Sequence, residues 1–102
     1  MPTFANTPRG TVVSIDERNN RSVLELIAGD RPGLLCDVGK VMMDERIELL
    51  AAKIMTVGER AEDVFYVADE NGRPLAEEAR LRLEEQLHVA LDLPNAARMG
   101  TT

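Results

Sequence analysis

The chain is poor in the residues that most often carry chemistry. Its 102 positions hold one cysteine, one histidine, no tryptophan and three aromatics, Phe4, Phe65 and Tyr66. The lone thiol, Cys36, excludes an intramolecular disulfide and fits a reducing, cytoplasmic setting. It lies within a helix-like apolar pattern, where a free cysteine packs as a small hydrophobe, so a buried core position is expected. One histidine and one cysteine cannot build a Cys/His zinc centre. His88 reads as a surface residue of the last helix. Ser14 and Ser22 both fall in strand-like runs, which leaves no serine for a nucleophile–histidine–acid arrangement. Glu62-Asp63 and Glu84-Glu85 are adjacent in sequence, so their carboxyls point in different directions and do not pair for acid–base work. No Gly-x-Gly-x-x-Gly or Gly-x-x-x-x-Gly-Lys loop joins a strand to a helix, so phosphate cradles have no support. The expectation is a chain with no catalytic residue, no metal ligand and no cofactor.

Positive charge is scarce as well. Twelve Lys and Arg against 18 Asp and Glu give a formal charge of −6. An acidic chain with so few aromatics lacks both the electrostatic footprint and the stacking platforms of nucleic-acid binding. The sequence has no apolar run near the roughly 20 residues of a membrane span. Met1 to Gly10 has no apolar signal-peptide core and reads as a flexible lead-in; residues 93–102 read as a frayed tail. Neither nucleic acid nor membrane is an expected partner.

The remaining composition is that of one soluble domain, with 44% hydrophobic and 29% charged residues. Thr11-Val12-Val13-Ser14-Ile15 is a β-branched strand-like run. A polar turn over Asp16–Asn20 leads into a second strand, Arg21–Ala28, and the two form a hairpin. After a break at Gly29–Pro32, Leu34, Leu35, Val38, Val41 and Met42 repeat with the spacing of an amphipathic helix, with Pro32 suited to its first position. That helix should end near Asp44-Glu45-Arg46. Ile47–Val57 reads as one long strand, Gly58-Glu59-Arg60 as a turn and Glu62–Ala68 as a further strand. From Leu75 to Asp92 the helical period returns, with Ala79, Leu83, Leu87, Ala90 and Leu91 on one face and a solvated charged face opposite. The order ββαββα predicts an α+β, ferredoxin-like sandwich: a four-stranded antiparallel sheet with two helices on one face.

Within that order, Asp30-Arg31-Pro32-Gly33-Leu34-Leu35 is the candidate site. It joins a strand to a helix start, where the first turn leaves backbone N–H groups without partners inside the helix. Those donors, at the positive end of the helix dipole, suit a small anionic or amide-bearing ligand.

The same segment carries a family resemblance. A strand, then Asp-Arg-Pro-Gly-Leu-Leu, then a helix and a β-hairpin resembles the ACT domain, a small-ligand regulatory module of amino-acid metabolism. Val23–Leu35 and Ala52–Asp69, including Gly58-Glu59-Arg60-Ala61-Glu62-Asp63-Val64-Phe65-Tyr66-Val67, are similar to the C-terminal ACT domain of the uridylyltransferase/uridylyl-removing enzymes that modify the PII signal protein. The resemblance covers residues 11 to 92. It implies a regulatory, non-catalytic piece of a larger cytoplasmic enzyme of nitrogen regulation, with glutamine as the effector and another ACT domain as partner, in a homodimer or as a tandem copy. The catalytic domains of such an enzyme have no counterpart in these residues, and no His-Asp dipeptide occurs.

Carried over, the backbone N–H groups of Gly33, Leu34 and Leu35 would receive the ligand's carboxylate or amide. Asp30 would bond its ammonium, Arg31 and Pro32 would complete the loop, and Ala52, Lys53 and Ile54 would form the opposite wall. The bland alternative has Asp30 capping the helix and Pro32-Gly33 merely shaping the turn. Two departures from the family pattern stand out: Met55 replaces a small polar residue, and Asp44-Glu45-Arg46 replaces a glycine-containing helix end. The alternative function is a stand-alone ACT protein that acts as an oligomerisation or interaction module, or that senses another amino acid.

Overall fold

The computed structural model describes residues 11–92; the expected lead-in and tail lie outside the described residues. The first hairpin pairs β1 (Val12–Arg18) with β2 (Arg21–Gly29) in continuous register from Val12↔Ile27 to Arg18↔Arg21. Its loop is two residues, Asn19 at φ 52° and Asn20 at φ 62°. Two successive positive φ values make the type I′ turn, whose twist matches that of the strands it joins. β1 therefore runs three residues beyond the expected Ile15, because asparagines alone close the hairpin.

Helix α1 (Leu34–Asp44) buries Leu34, Val38, Val41 and Met42. Its start differs from expectation: Gly33, not Pro32, flanks the first turn, at φ 85° and ψ −3°. The helix ends where the sequence breaks, but without glycine. Ile47 N–H donates to the Met42 carbonyl (2.8 Å) and Arg46 N–H to that of Met43 (3.1 Å), with Arg46 itself at φ 58°. This is the Schellman closure, with arginine in the left-handed position that glycine usually fills.

The long strand expected over Ile47–Val57 is divided into β3 (Glu48–Lys53) and β4 (Thr56–Val57), so the sheet has five strands. The physical reason lies across the gap. Met55 N–H donates to the Asp63 side chain (3.2 Å), while the Met55 carbonyl still accepts from Glu62 N–H (2.9 Å). β5 (Arg60–Ala68) pairs with β2 along one edge and with β4 and then β3 along the other. All pairings are antiparallel, in the order β1-β2-β5-β3. The first strand thus occupies a sheet edge beside β2, completing a ferredoxin-like sheet from the N-terminal side.

Helix α2 (Glu77–Asp92) buries Leu83 and Leu87, with Ala79, Ala90 and Leu91 packed at the margin of the core, the face expected from its spacing. These residues join Ile15, Leu24, Leu26, Phe65 and Val67 from the sheet and Val38, Val41 and Met42 from α1 in one apolar cluster. Both helices therefore cover a single face of the sheet. Among the described residues no helix is long and apolar enough to cross a membrane.

Candidate ligand-binding site

At one end of the sandwich, the loop between β2 and α1 faces the gap between β3 and β4 across a cleft of about 320 Å³. That volume lies at the lower end of the range for small-molecule sites. Leu34 N–H donates to the Arg31 carbonyl (3.2 Å), which closes a turn over Arg31-Pro32-Gly33-Leu34. Proline second and glycine third, with φ near +85°, is the pattern of a type II turn. Pro32 thus serves the turn rather than the first helical position. The turn also uses the Leu34 donor counted among the free ones. The first backbone bond of the helix runs from Asp37 N–H to the Gly33 carbonyl (2.9 Å). The N–H groups of Gly33, Leu35 and Cys36 meet no acceptor among the described residues. Asp30 does not cap the helix, as no side chain does; its own N–H is tied to the Glu59 carbonyl (2.9 Å).

The cleft is lined on the loop side by Asp30, Arg31, Gly33, Leu34, Leu35 and Cys36. Its other side is Ile54, Thr56, Ala61 and Asp63. Of the opposite wall expected from sequence, Ile54 borders the cleft, whereas Ala52 and Lys53 lie farther along β3 and do not. Pro32 also stays outside it. Cys36 is exposed rather than part of the core. Burying Leu34, Val38, Val41 and Met42 turns Leu35 and Cys36 away from the sheet and towards this opening.

Charge in the cleft is unevenly placed. Arg31 Nη2 donates to Asp37 Oδ2 (2.9 Å), so the one cation of the loop is already engaged. Asp30 is exposed and Asp63 is 2% exposed. Asp63 Oδ1 accepts from Met55 N–H, but Oδ2 is covered and accepts from no donor among the described residues. Burial pushes the Asp63 carboxyl above its ordinary pKa; the Met55 bond opposes the rise and the charge of Asp30 adds to it. Sequence reasoning missed Asp63 because it was weighed only with its neighbour Glu62, as an adjacent pair whose carboxyls point in different directions. The signal available was alternation: with Ala61 and Phe65 facing the helices, Asp63 had to face them too. His88 is exposed, with Nδ1 3.1 Å from Asp92 Oδ2 on the same helix. Among the described residues no group of three or more His, Cys, Asp or Glu side chains gathers to hold a metal.

The two helices on one face of an antiparallel five-stranded sheet define a small α+β domain of ferredoxin-like architecture. The ACT domain family model matches residues 22–85. The bifunctional uridylyltransferase/uridylyl-removing enzyme of Ectopseudomonas mendocina is 43% identical over 94 residues, covering 91% of this chain and 10% of that protein. The enzyme of the same name from Methylococcus capsulatus is 56% identical over 64 residues, covering 63% of the chain and 7% of the relative. That from Pseudomonas aeruginosa is 49% identical over 74 residues, 72% of the chain and 8% of the relative. The chain belongs to the ACT domain family. It spans about a tenth of the length of these curated relatives, and the ACT domain is a regulatory rather than a catalytic unit.

Proposed function

We propose that this chain is the amino-acid-sensing domain of a uridylyltransferase/uridylyl-removing enzyme, with glutamine as effector, acting in cytoplasmic nitrogen regulation. The observation that carries the reading is the set of unpartnered N–H groups at Gly33, Leu35 and Cys36, which opens onto a cleft of amino-acid size. An effector carboxylate there gains charge-assisted bonds from donors that the helix itself cannot use. Gly33 is needed for its φ of 85°, which a side chain would strain, rather than for space, since a Cβ there would meet only Arg31 Nη1, at 3.9 Å. Asp30, Arg31, Leu34 and Leu35 complete the loop side of the cleft, and Ile54, Thr56, Ala61 and Asp63 form the side opposite.

The chain pairs with another ACT domain, as a second copy or a tandem neighbour. β3 is a sheet edge, with Leu49 and Leu50 each about half exposed, and such an edge is a template for further pairing. A bound effector would shift the enzyme only by its different affinity for two arrangements of such domains.

Calorimetric titration of the chain with glutamine, asparagine, glutamate and other amino acids tests the assignment. The expected result is saturable binding selective for glutamine, weak in this chain and tighter when a second ACT domain is joined to it. Tight binding of a different amino acid with none of glutamine overturns it.

A further inference from the structure

The geometry points to Asp63, not the exposed Asp30, as the residue that recognises the effector's α-ammonium. This rests on the reading of the cleft as an amino-acid site. Asp63 stands on β5 across the cleft from the free donors of α1, with Oδ1 held by Met55 N–H and Oδ2 unpartnered at 2% residue exposure. A buried carboxylate oxygen without a donor is costly, and such groups recur where a ligand completes the bonding. An α-amino acid carries complementary groups: a carboxylate for the N–H groups of Gly33, Leu35 and Cys36, and a cation for Asp63. The loop's Arg31 is paired with Asp37, so no protein cation in the cleft competes for that position. The break between β3 and β4 follows from the same carboxyl, because Oδ1 draws the Met55 N–H out of the ladder. Asp63 thereby both shapes the wall around Ile54 and keeps its second oxygen without a donor in a residue that borders the cleft. Asp30, being solvated, would contribute a long-range, screened attraction.

The experiment compares glutamine with its des-amino analogue, 4-carbamoylbutanoate, by calorimetry on the wild-type chain and on the Asp63→Asn and Asp30→Asn variants. Losing a charge-assisted bond to a buried carboxylate is expected to weaken binding about tenfold or more. Wild type should therefore bind the analogue at least about tenfold more weakly than glutamine, and D30N should keep that preference. D63N should bind glutamine about as weakly as the analogue. Asparagine retains an oxygen for Met55 N–H, and circular dichroism checks that the variant is folded. Should D63N fail to fold, the wild-type comparison decides: equal binding of the two ligands overturns the inference. Glutamine binding and selectivity unchanged in folded D63N, or lost in D30N alone, overturn the role of Asp63 and leave the amino-acid site standing. No binding of any amino acid by wild type overturns both.

Discussion

Ser22 Oγ accepts the backbone N–H of Leu75 at 2.9 Å, across 53 residues of chain. Ser22 is fully buried and Leu75 is 4% exposed, so neither group has water as a substitute. The bond ties the start of β2 to the segment that leads into α2. A strand serine thus fixes where the second helix begins.

Removing that hydroxyl leaves the Leu75 N–H buried without an acceptor. Ser22→Ala is expected to destabilise the chain by about 1–3 kcal/mol. Urea unfolding should show a lower midpoint with an unchanged slope, because the surface exposed on unfolding is the same. An unaltered midpoint would mean that the Leu75 donor finds another acceptor at no cost.

Arg46 offers the opposite experiment. Its φ of 58° is a left-handed conformation forced on a residue with a Cβ, at a cost of about 1–2 kcal/mol. The Schellman bonds around it involve only backbone, so glycine can keep them. The Arg46 side chain is exposed. Arg46→Gly should therefore stabilise the chain, by about 1 kcal/mol once the greater freedom of glycine in the unfolded chain is subtracted. A raised melting temperature in thermal unfolding is the expected result; a lowered one would show that the arginine side chain contributes more than the strain costs.

Periodicity made the architecture legible. The alternation of Leu24 and Leu26, and the helical spacing of Val38, Val41 and Met42 and of Leu83 and Leu87, each mark the face that meets the core. What escaped was set by side chains reaching across the fold. Nothing local to Ile47–Val57 reveals that Asp63 will take the Met55 N–H and split the strand. Nothing in Ser22 reveals that its acceptor serves residue 75. The candidate cleft was legible on its loop side, because Pro32-Gly33 and the helix start are neighbours in sequence. Its far wall was legible only in part, because a shift of one or two residues decides whether Ile54 and Thr56 or Ala52 and Lys53 face the opening. Cys36 was misplaced because its residue type was weighed above its phase: at about 100° per residue it falls on the face opposite Leu34, Val38, Val41 and Met42.

Two carboxyls should give the stability profile opposite slopes on either side of pH 4. Asp92 is pulled down in pKa: partial burial opposes the shift, but bonds from Thr11 and the His88 contact outweigh it. Its contribution is therefore present above the unfolded-state value, near 3.9, and is lost as pH falls through the lower folded value. Asp63 is pushed up by burial, so the folded state binds its proton more tightly than the unfolded chain does. Its stability contribution is complete below about pH 3.9 and is lost as pH rises through the raised folded value. Acidification from neutrality should first recover the Asp63 contribution and then, below about pH 4, remove that of Asp92. Urea midpoints from pH 7 to pH 3 for wild type, D63N and D92N separate the two. D63N should lack the gain on the acidic approach to pH 4, and D92N should lose less than wild type below it. Parallel curves for wild type and D63N would show that Asp63 titrates alike in the folded and unfolded chains.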